Sequence, residues 1–83
     1  MPAIKITISN KTSDDQNVHV YDLFAGGRRQ VDGSPFPLAV DETSVQFSVN
    51  ANSSHSGEIE YACDGGPSLS GIEVTDQQNY EIR

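Results

Sequence analysis

Apolar and polar residues alternate with a period of two along several short segments of this chain. Ile4, Ile6 and Ile8 alternate with polar residues, and the same alternation recurs over 45–49 and 59–63. Because successive side chains of a β-strand point to opposite faces, this pattern predicts strands with one buried and one solvated face. No segment shows a convincing helical period. The pattern therefore predicts an all-β protein.

Polar and glycine-containing turns separate these segments and predict about seven short strands at a spacing of roughly ten residues. Two sheets are favoured over one, because strands with a single apolar face must cover each other. We expect residues 1–83 to form a single domain, a small antiparallel β-sandwich with immunoglobulin-like or Greek-key topology. Paired cysteines and a tryptophan, which mark a true immunoglobulin domain, are absent from the sequence.

The apolar phase of each strand defines the expected core. Cys63 is in phase with Ile59 and Tyr61, so we expect its thiol to be buried as a small hydrophobic group. The expected core residues are Ile4, Ile6, Ile8, Val18, Val20, Leu38, Val45, Phe47, Val49, Ile59, Tyr61, Ile72, Val74, Tyr80 and Ile82.

The last two strands are expected to form a hairpin in which 72–74 pair with 80–82. This pairing places Glu73 opposite Glu81, a like-charge cross-strand pair that costs some stability. Together with the glutamates of 58–60, these charges allow two interpretations. They discourage aggregation of an exposed sheet face, or they form a docking face for a basic partner.

The chain is short and acidic, and this limits its partners. The formal net charge is −7, from 12 Asp and Glu against 5 Lys and Arg. Such a chain is repelled by phosphate, which argues against nucleic-acid binding. No apolar run is long enough to span a membrane. A small sandwich has a thin core and open strand edges, so a homodimer is one expected outcome.

The sequence also predicts a cytoplasmic location. The first residues lack the basic and apolar regions of a signal peptide. The single Cys63 cannot form an internal disulfide, which suits a reducing compartment.

Several carboxylates fall in predicted loops, where they could converge at one end of a sandwich. Calcium takes about six to eight oxygen ligands of this kind. The same residue types are ordinary turn formers, and no segment has the spacing of an EF-hand loop. Solvated loop charge is the favoured interpretation and calcium binding the alternative. The candidate calcium ligands are Asp14, Asp15, Asp41, Glu42, Asp64 and Asp76.

The segment 26–37 is the longest irregular stretch and a candidate binding loop. It contains Arg28 and Arg29, and it presents Phe36 between two prolines. Rigid scaffolds carry binding loops of this composition, so these three residues are the candidate ligand-binding residues. A connector whose phenylalanine plugs the end of the sandwich has the same composition, and we favour that interpretation.

No catalytic or transition-metal site is indicated. A cysteine nucleophile needs a histidine beside it. His19 is out of phase with Val18 and Val20, which places it on the face opposite the core, and His55 lies in a loop. Neither histidine stands at a short chelating spacing from Cys63 or from the other histidine, whereas a structural zinc site needs four such ligands.

These observations predict a non-catalytic binding or protein-interaction module that needs no cofactor and takes a protein or another ligand. The alternative is a calcium-dependent or carbohydrate-binding, lectin-like sandwich, in which Tyr21, Phe24 and Phe36 would supply aromatic faces. A small hydrolase that uses Cys63 or the carboxylates of 58–60 is a more distant alternative.

Overall fold

The computed structural model describes residues 2–83, which form two facing β-sheets. A short 3₁₀ turn, Phe24–Gly26, follows the second strand, and none of the described segments is a helix long and apolar enough to cross a membrane. The strands are β1 (Ala3–Asn10), β2 (Gln16–Asp22), β3 (Arg29–Gln30), β4 (Phe36–Leu38), β5 (Phe47–Asn50), β6 (Ser56–Cys63), β7 (Ser68–Thr75) and β8 (Asn79–Ile82).

One sheet has the order β5-β1-β8, and the other has the order β3-β2-β6-β7. Strand β4 also pairs with β2, over 16–18, beside the short β3. Strands β1 and β8 are parallel, and the other pairs formed by residues 2–83 are antiparallel. The predicted small all-β sandwich is confirmed, with eight strands in the described chain instead of about seven.

A single hydrophobic cluster lies between the sheets and contains most of the predicted core. Cys63 is buried in it, as its phase predicted. Ile72 and Tyr80 are only partly buried and pack against the cluster from its edge. Val31 and Ala51 join the core without having been predicted, because neither belongs to an alternating segment.

Val45 was predicted to be buried, and this is wrong: its side chain is 86% exposed. Ile6 pairs with Phe47, whereas Ser9 bridges to Thr43. Three steps along β1 are therefore matched by four steps on the partner segment. The extra residue makes a bulge, which turns Val45 toward solvent.

The predicted hairpin between 72–74 and 80–82 is also wrong. Strand β7 pairs with β6, after which the chain crosses to the other sheet and β8 pairs with β1. Glu73 consequently lies opposite Glu58 instead of Glu81. Both segments point their apolar side chains into one core, so either pairing buries them. Alternation determines which face is buried but not which strand is the neighbour.

Asp22 joins the two sheets from a position 4% exposed. Its Oδ2 accepts the Asn50 N–H at 2.9 Å, and its Oδ1 accepts the Phe24 N–H at 3.0 Å. Arg29 Nη2 lies 3.7 Å from the same carboxylate. A buried carboxylate is tolerated when such donors satisfy it, and here they connect the end of β2 to β5.

Candidate functional site

A groove of about 520 Å³ opens between the sheets along β4 and β5. This volume is within the range typical of ligand sites. Phe36 of β4 and Phe47 of β5 face each other there, with ring centroids 6.1 Å apart. Phe36 is only partly buried, so part of its ring remains available. The apolar lining residues are Phe36, Pro37, Leu38, Val45 and Phe47.

The charged residues in the groove lining are Lys5, Asp32 and Glu42. Two carboxylates against one ammonium group leave the groove with a negative balance. Glu42 Oε1 accepts the Ala39 N–H at 2.7 Å, which fixes the position of this carboxylate. Gly33 and four uncharged polar residues complete the lining: Thr43, Ser44, Gln46 and Ser48.

Ser44 holds the bulge that exposes Val45 at the groove. The Ser44 N–H donates to the Ile8 carbonyl at 2.8 Å, and Ser44 Oγ accepts the Ile8 N–H at 3.0 Å. The Oγ atoms of Thr43 and Ser9 are 2.7 Å apart and add a second link to β1. Bulges re-aim side chains next to functional sites, and this one places an aliphatic side chain beside the groove.

Asn10, which is fully buried, holds the loop that forms one wall of the groove. Its Nδ2 donates to the Leu38 carbonyl at 2.9 Å and to the Asp14 carbonyl at 2.8 Å. Its backbone accepts the Asp41 N–H at 2.8 Å and donates to the Glu42 carbonyl at 3.0 Å. The wall is therefore anchored to β1.

Strand β4 presents a blunted edge to the groove. Pro37 lies opposite Asn17, whose carbonyl points away from β4 and accepts the Asp64 N–H at 3.1 Å. The Asn17–Pro37 pair is thus a non-hydrogen-bonded pair, and the Pro37 nitrogen points out of the sheet. Proline is tolerated at that position because no donor is needed there.

Strand β5, in contrast, presents a usable edge. The Asn50 N–H turns away from β1 and donates to Asp22, whereas the Ala51 N–H donates to the Pro2 carbonyl. Because these directions alternate along a strand, the N–H and C=O of Ser48 also point away from β1. Within residues 2–83, no strand pairs with this edge.

The two candidate arginines lie apart from the groove. Arg28 lies over the Tyr21 ring at 3.9 Å, on the outer face of the β3-β2-β6-β7 sheet, and its Nη2 donates to Glu60 Oε2 at 3.1 Å. This hydrogen bond raises the pKa of Arg28 and lowers the pKa of Glu60. Arg29 faces the carboxylate of Asp22. Of the candidate ligand-binding residues, only the phenylalanine lines the groove.

The candidate calcium ligands of the first half of the chain are engaged locally. Asp15 Oδ1 accepts the Val40 N–H at 3.0 Å, and Lys11 Nζ lies 3.5 Å from Asp41 Oδ1. Asp14 is exposed in the same region. The carboxylates of Asp15 and Asp41 thus join the loop after β1 to the loop after β4.

The remaining candidate calcium ligands lie elsewhere. Asp64 accepts hydrogen bonds from Asn17 at 2.8 Å and from His19 at 3.0 Å, and these bonds lower its pKa, with Asn17 the larger cause. Asp76 accepts the Lys5 N–H at 2.9 Å. Across residues 2–83, no three His, Cys, Asp or Glu side chains form a group that could hold a metal ion. Calcium binding stays a prediction, tested by melting with and without millimolar calcium.

Cys63 and His19 lie on opposite faces of their sheet. Cys63 is paired with Val18 and points into the core, whereas His19 is paired with Ala62 and points outward. Burial raises the pKa of the Cys63 thiol, and the charge of Asp64 adds to this. A nucleophilic cysteine needs a lowered pKa instead.

Sequence reasoning identified Phe36 but missed the other residues of the groove. The alternation of Phe47 and Val49 extends to Val45 and predicts that it is buried. The polar run 41–44 directly before Val45 is a signal that regular pairing ends there. The edge at Ser48 carries no sequence signal, because its availability depends on which strands are neighbours.

No protein-family model matches this chain, and neither a curated protein nor a solved structure matches it significantly. The geometry and chemistry of the groove therefore carry the functional inference.

Proposed function

We propose that this protein is a non-catalytic binding module that takes up an apolar group of its ligand in the groove between β4 and β5. The observation that carries this proposal is the open groove in which Phe36 faces Phe47 while Val45 stands 86% exposed at its edge. Apolar pockets with a few fixed polar groups are the usual form of a ligand site. Here Ser44 and Glu42 supply such groups from a wall that is already anchored.

The chemistry of the possible catalytic groups supports a non-catalytic function. Burial raises the pKa of Cys63, and the Arg28 hydrogen bond lowers the pKa of Glu60. A thiolate nucleophile and a general acid would each need the opposite shift.

A cytoplasmic location is part of the same proposal, whereas self-association is a separate prediction. A free, buried Cys63 is compatible with the cytoplasm as the site of action. A homodimer stays a prediction, and sedimentation at micromolar concentration would detect it as a species of twice 9.0 kDa.

The groove is tested by titrating the ¹⁵N-labelled protein with N-acetylphenylalaninamide, a capped phenylalanine, up to millimolar concentration. We expect shifts concentrated in the amides of Phe36 and Leu38 and of 42–48. Val45→Asp should weaken binding about tenfold or more, because it places a charge where apolar contact is expected. Leu69→Asp is the matched control: Leu69 is also exposed, at 54%, but lies on β7 away from the groove.

Binding that is retained by Val45→Asp, or lost equally in Leu69→Asp, would contradict the proposal. So would shifts spread over the outer sheet faces. Each variant is checked by its ¹⁵N spectrum for an intact fold, and both positions are exposed enough to accept aspartate without core disruption.

A further inference from the structure

We infer that the occupant of the groove is an extended, basic segment of a partner protein, which pairs its backbone with β5 and inserts one apolar side chain beside Phe36 and Phe47. The inference rests on the proposed function and specifies the partner of the same site. Three observations lead to it: the free edge of β5, the apolar lining between two strands, and the sign of the charge.

The edge of β5 favours an extended chain over a compact ligand. The Ser48 N–H and C=O point away from β1 into the groove, where they can pair with the backbone of an added strand. Adding a strand to an open sheet edge is a common mode of peptide recognition. Strand β4 cannot do the same at Pro37, which has no N–H. An extended ligand could therefore form backbone hydrogen bonds with β5, whereas β4 would contact it through side chains.

The side-chain positions follow from strand geometry. An added strand lies about 4.8 Å from β5, and its side chains alternate between the groove and solvent. A side chain directed into the groove meets Phe36 and Phe47, whose rings are 6.1 Å apart. Val45 adds a further apolar contact from the bulge. The groove therefore fits a segment in which one apolar residue has polar neighbours on both sides.

Charge selects a basic segment. Asp32 and Glu42 outnumber Lys5 along the groove, and the chain as a whole carries −7. A second copy of this chain brings the same excess of negative charge and is repelled, whereas a lysine- or arginine-containing segment is attracted. The inference therefore commits to a partner protein and not to self-association.

The probe is a fluorescent eight-residue peptide with capped ends, one central phenylalanine, threonine neighbours and three lysines, measured by fluorescence polarisation at low salt. A matched peptide carries glutamates in place of the lysines, and another carries serine in place of the phenylalanine. We expect each control to bind about tenfold more weakly or worse. Binding of the basic peptide should weaken as salt is added.

Ser48→Pro tests the backbone pairing. It removes the N–H that points into the groove but no hydrogen bond to β1, and we expect about a threefold to tenfold loss of peptide affinity. Ser48→Ala is the control and should bind normally. If Ser48→Pro does not fold, singly N-methylated peptides replace it, and methylation should weaken binding at the alternate positions that pair with β5.

The outcomes separate this inference from the proposed function. If acidic and basic peptides bind equally and both are weakened by Val45→Asp, the inference is overturned and the groove remains a binding site. Affinity that is unchanged by Ser48→Pro and by every N-methylation also overturns the inference. A dimer that Val45→Asp dissociates would identify a second copy as the occupant and overturn it as well. Failure of both the peptides and the capped phenylalanine overturns both proposals.

Discussion

At the residue scale, Asp22 shows how a single buried side chain can set the relation between the two sheets. Its carboxylate accepts N–H groups from Asn50 and Phe24, on segments that do not pair with β2 at that point. The Asn50 N–H that it accepts points away from β1, as does the N–H of Ser48 two residues earlier. Asp22 thus satisfies the edge of β5 at Asn50, next to the open edge at Ser48.

Replacing Asp22 with alanine should lower the free energy of unfolding by about 2–4 kcal/mol, because two partly buried N–H groups lose their acceptor. Urea denaturation measures the change. Asp14→Ala is the matched control, since that aspartate is exposed, and it should change stability by no more than about 0.5 kcal/mol. Equal losses in the two variants would contradict this function of Asp22.

Glu60 should make stability depend on pH. The hydrogen bond from Arg28 lowers its pKa below the usual value near 4.5, so ionised Glu60 stabilises the folded state. This contribution is fully present above that usual value and is lost as the pH falls through the lowered pKa. The difference in melting temperature between wild type and Glu60→Gln should therefore shrink between pH 6 and pH 3.

Glu58→Gln is the control for this measurement, because Glu58 is on the same strand and faces another glutamate instead of an arginine. It should be neutral or stabilising at pH 6. A difference for Glu60→Gln that is constant with pH would show that the ion pair contributes no stability.

At the element scale, the sequence predicted where strands occur better than how they pair. Alternation identified β1, β6 and most of β5, because one buried face requires a period of two. It could not place β8 beside β1, since the apolar residues of β8 reach the core in either sheet. It also failed at Val45, because an extra residue in one strand shifts the phase without changing the pattern.

The pairing of β6 with β7 predicts the sign of a charge substitution. Glu73 lies opposite Glu58, and like charges in this position are destabilising. Glu73→Lys should therefore raise the free energy of unfolding by about 0.3–1 kcal/mol in low salt. Denaturant unfolding of the single and double variants measures it.

A second substitution, at Glu58 or at Glu81, distinguishes the observed pairing of β7 with β6 from the predicted pairing of β7 with β8. The gain from Glu73→Lys should shrink in a Glu58→Gln background and persist in a Glu81→Gln background. The reverse result would restore the hairpin that alternation had indicated and contradict the crossing of β8 to the other sheet.

At the scale of the whole molecule, the groove exists because β4 and β5 belong to different sheets. They are close along the chain, but each pairs with a strand from another part of the sequence. The loop between them spans the opening and is fixed by Asn10, so the two edges stay apart. The groove depends on how the two sheets are placed against each other, and no local sequence pattern predicts that placement. The sequence could identify Phe36, because a proline stands on either side of it, but it could not identify the other residues of the groove.

The net charge of −7 acts on the same scale. It repels phosphate and attracts basic groups over about one Debye length, near 10 Å in 0.1 M salt. The groove then supplies the local contacts that a long-range field cannot. In the proposed complex, charge brings the partner close, and the apolar lining and the β5 edge determine how it binds.

The most direct test of the central claim is to locate a bound aromatic ring by intermolecular nuclear Overhauser effects, using N-acetylphenylalaninamide and ¹³C-labelled protein. We expect contacts from the ligand ring to the Val45 methyl groups and to the Phe36 ring. Contacts instead to Leu69 or to the Tyr21 and Arg28 face, or the absence of any contact at saturating ligand, would contradict it.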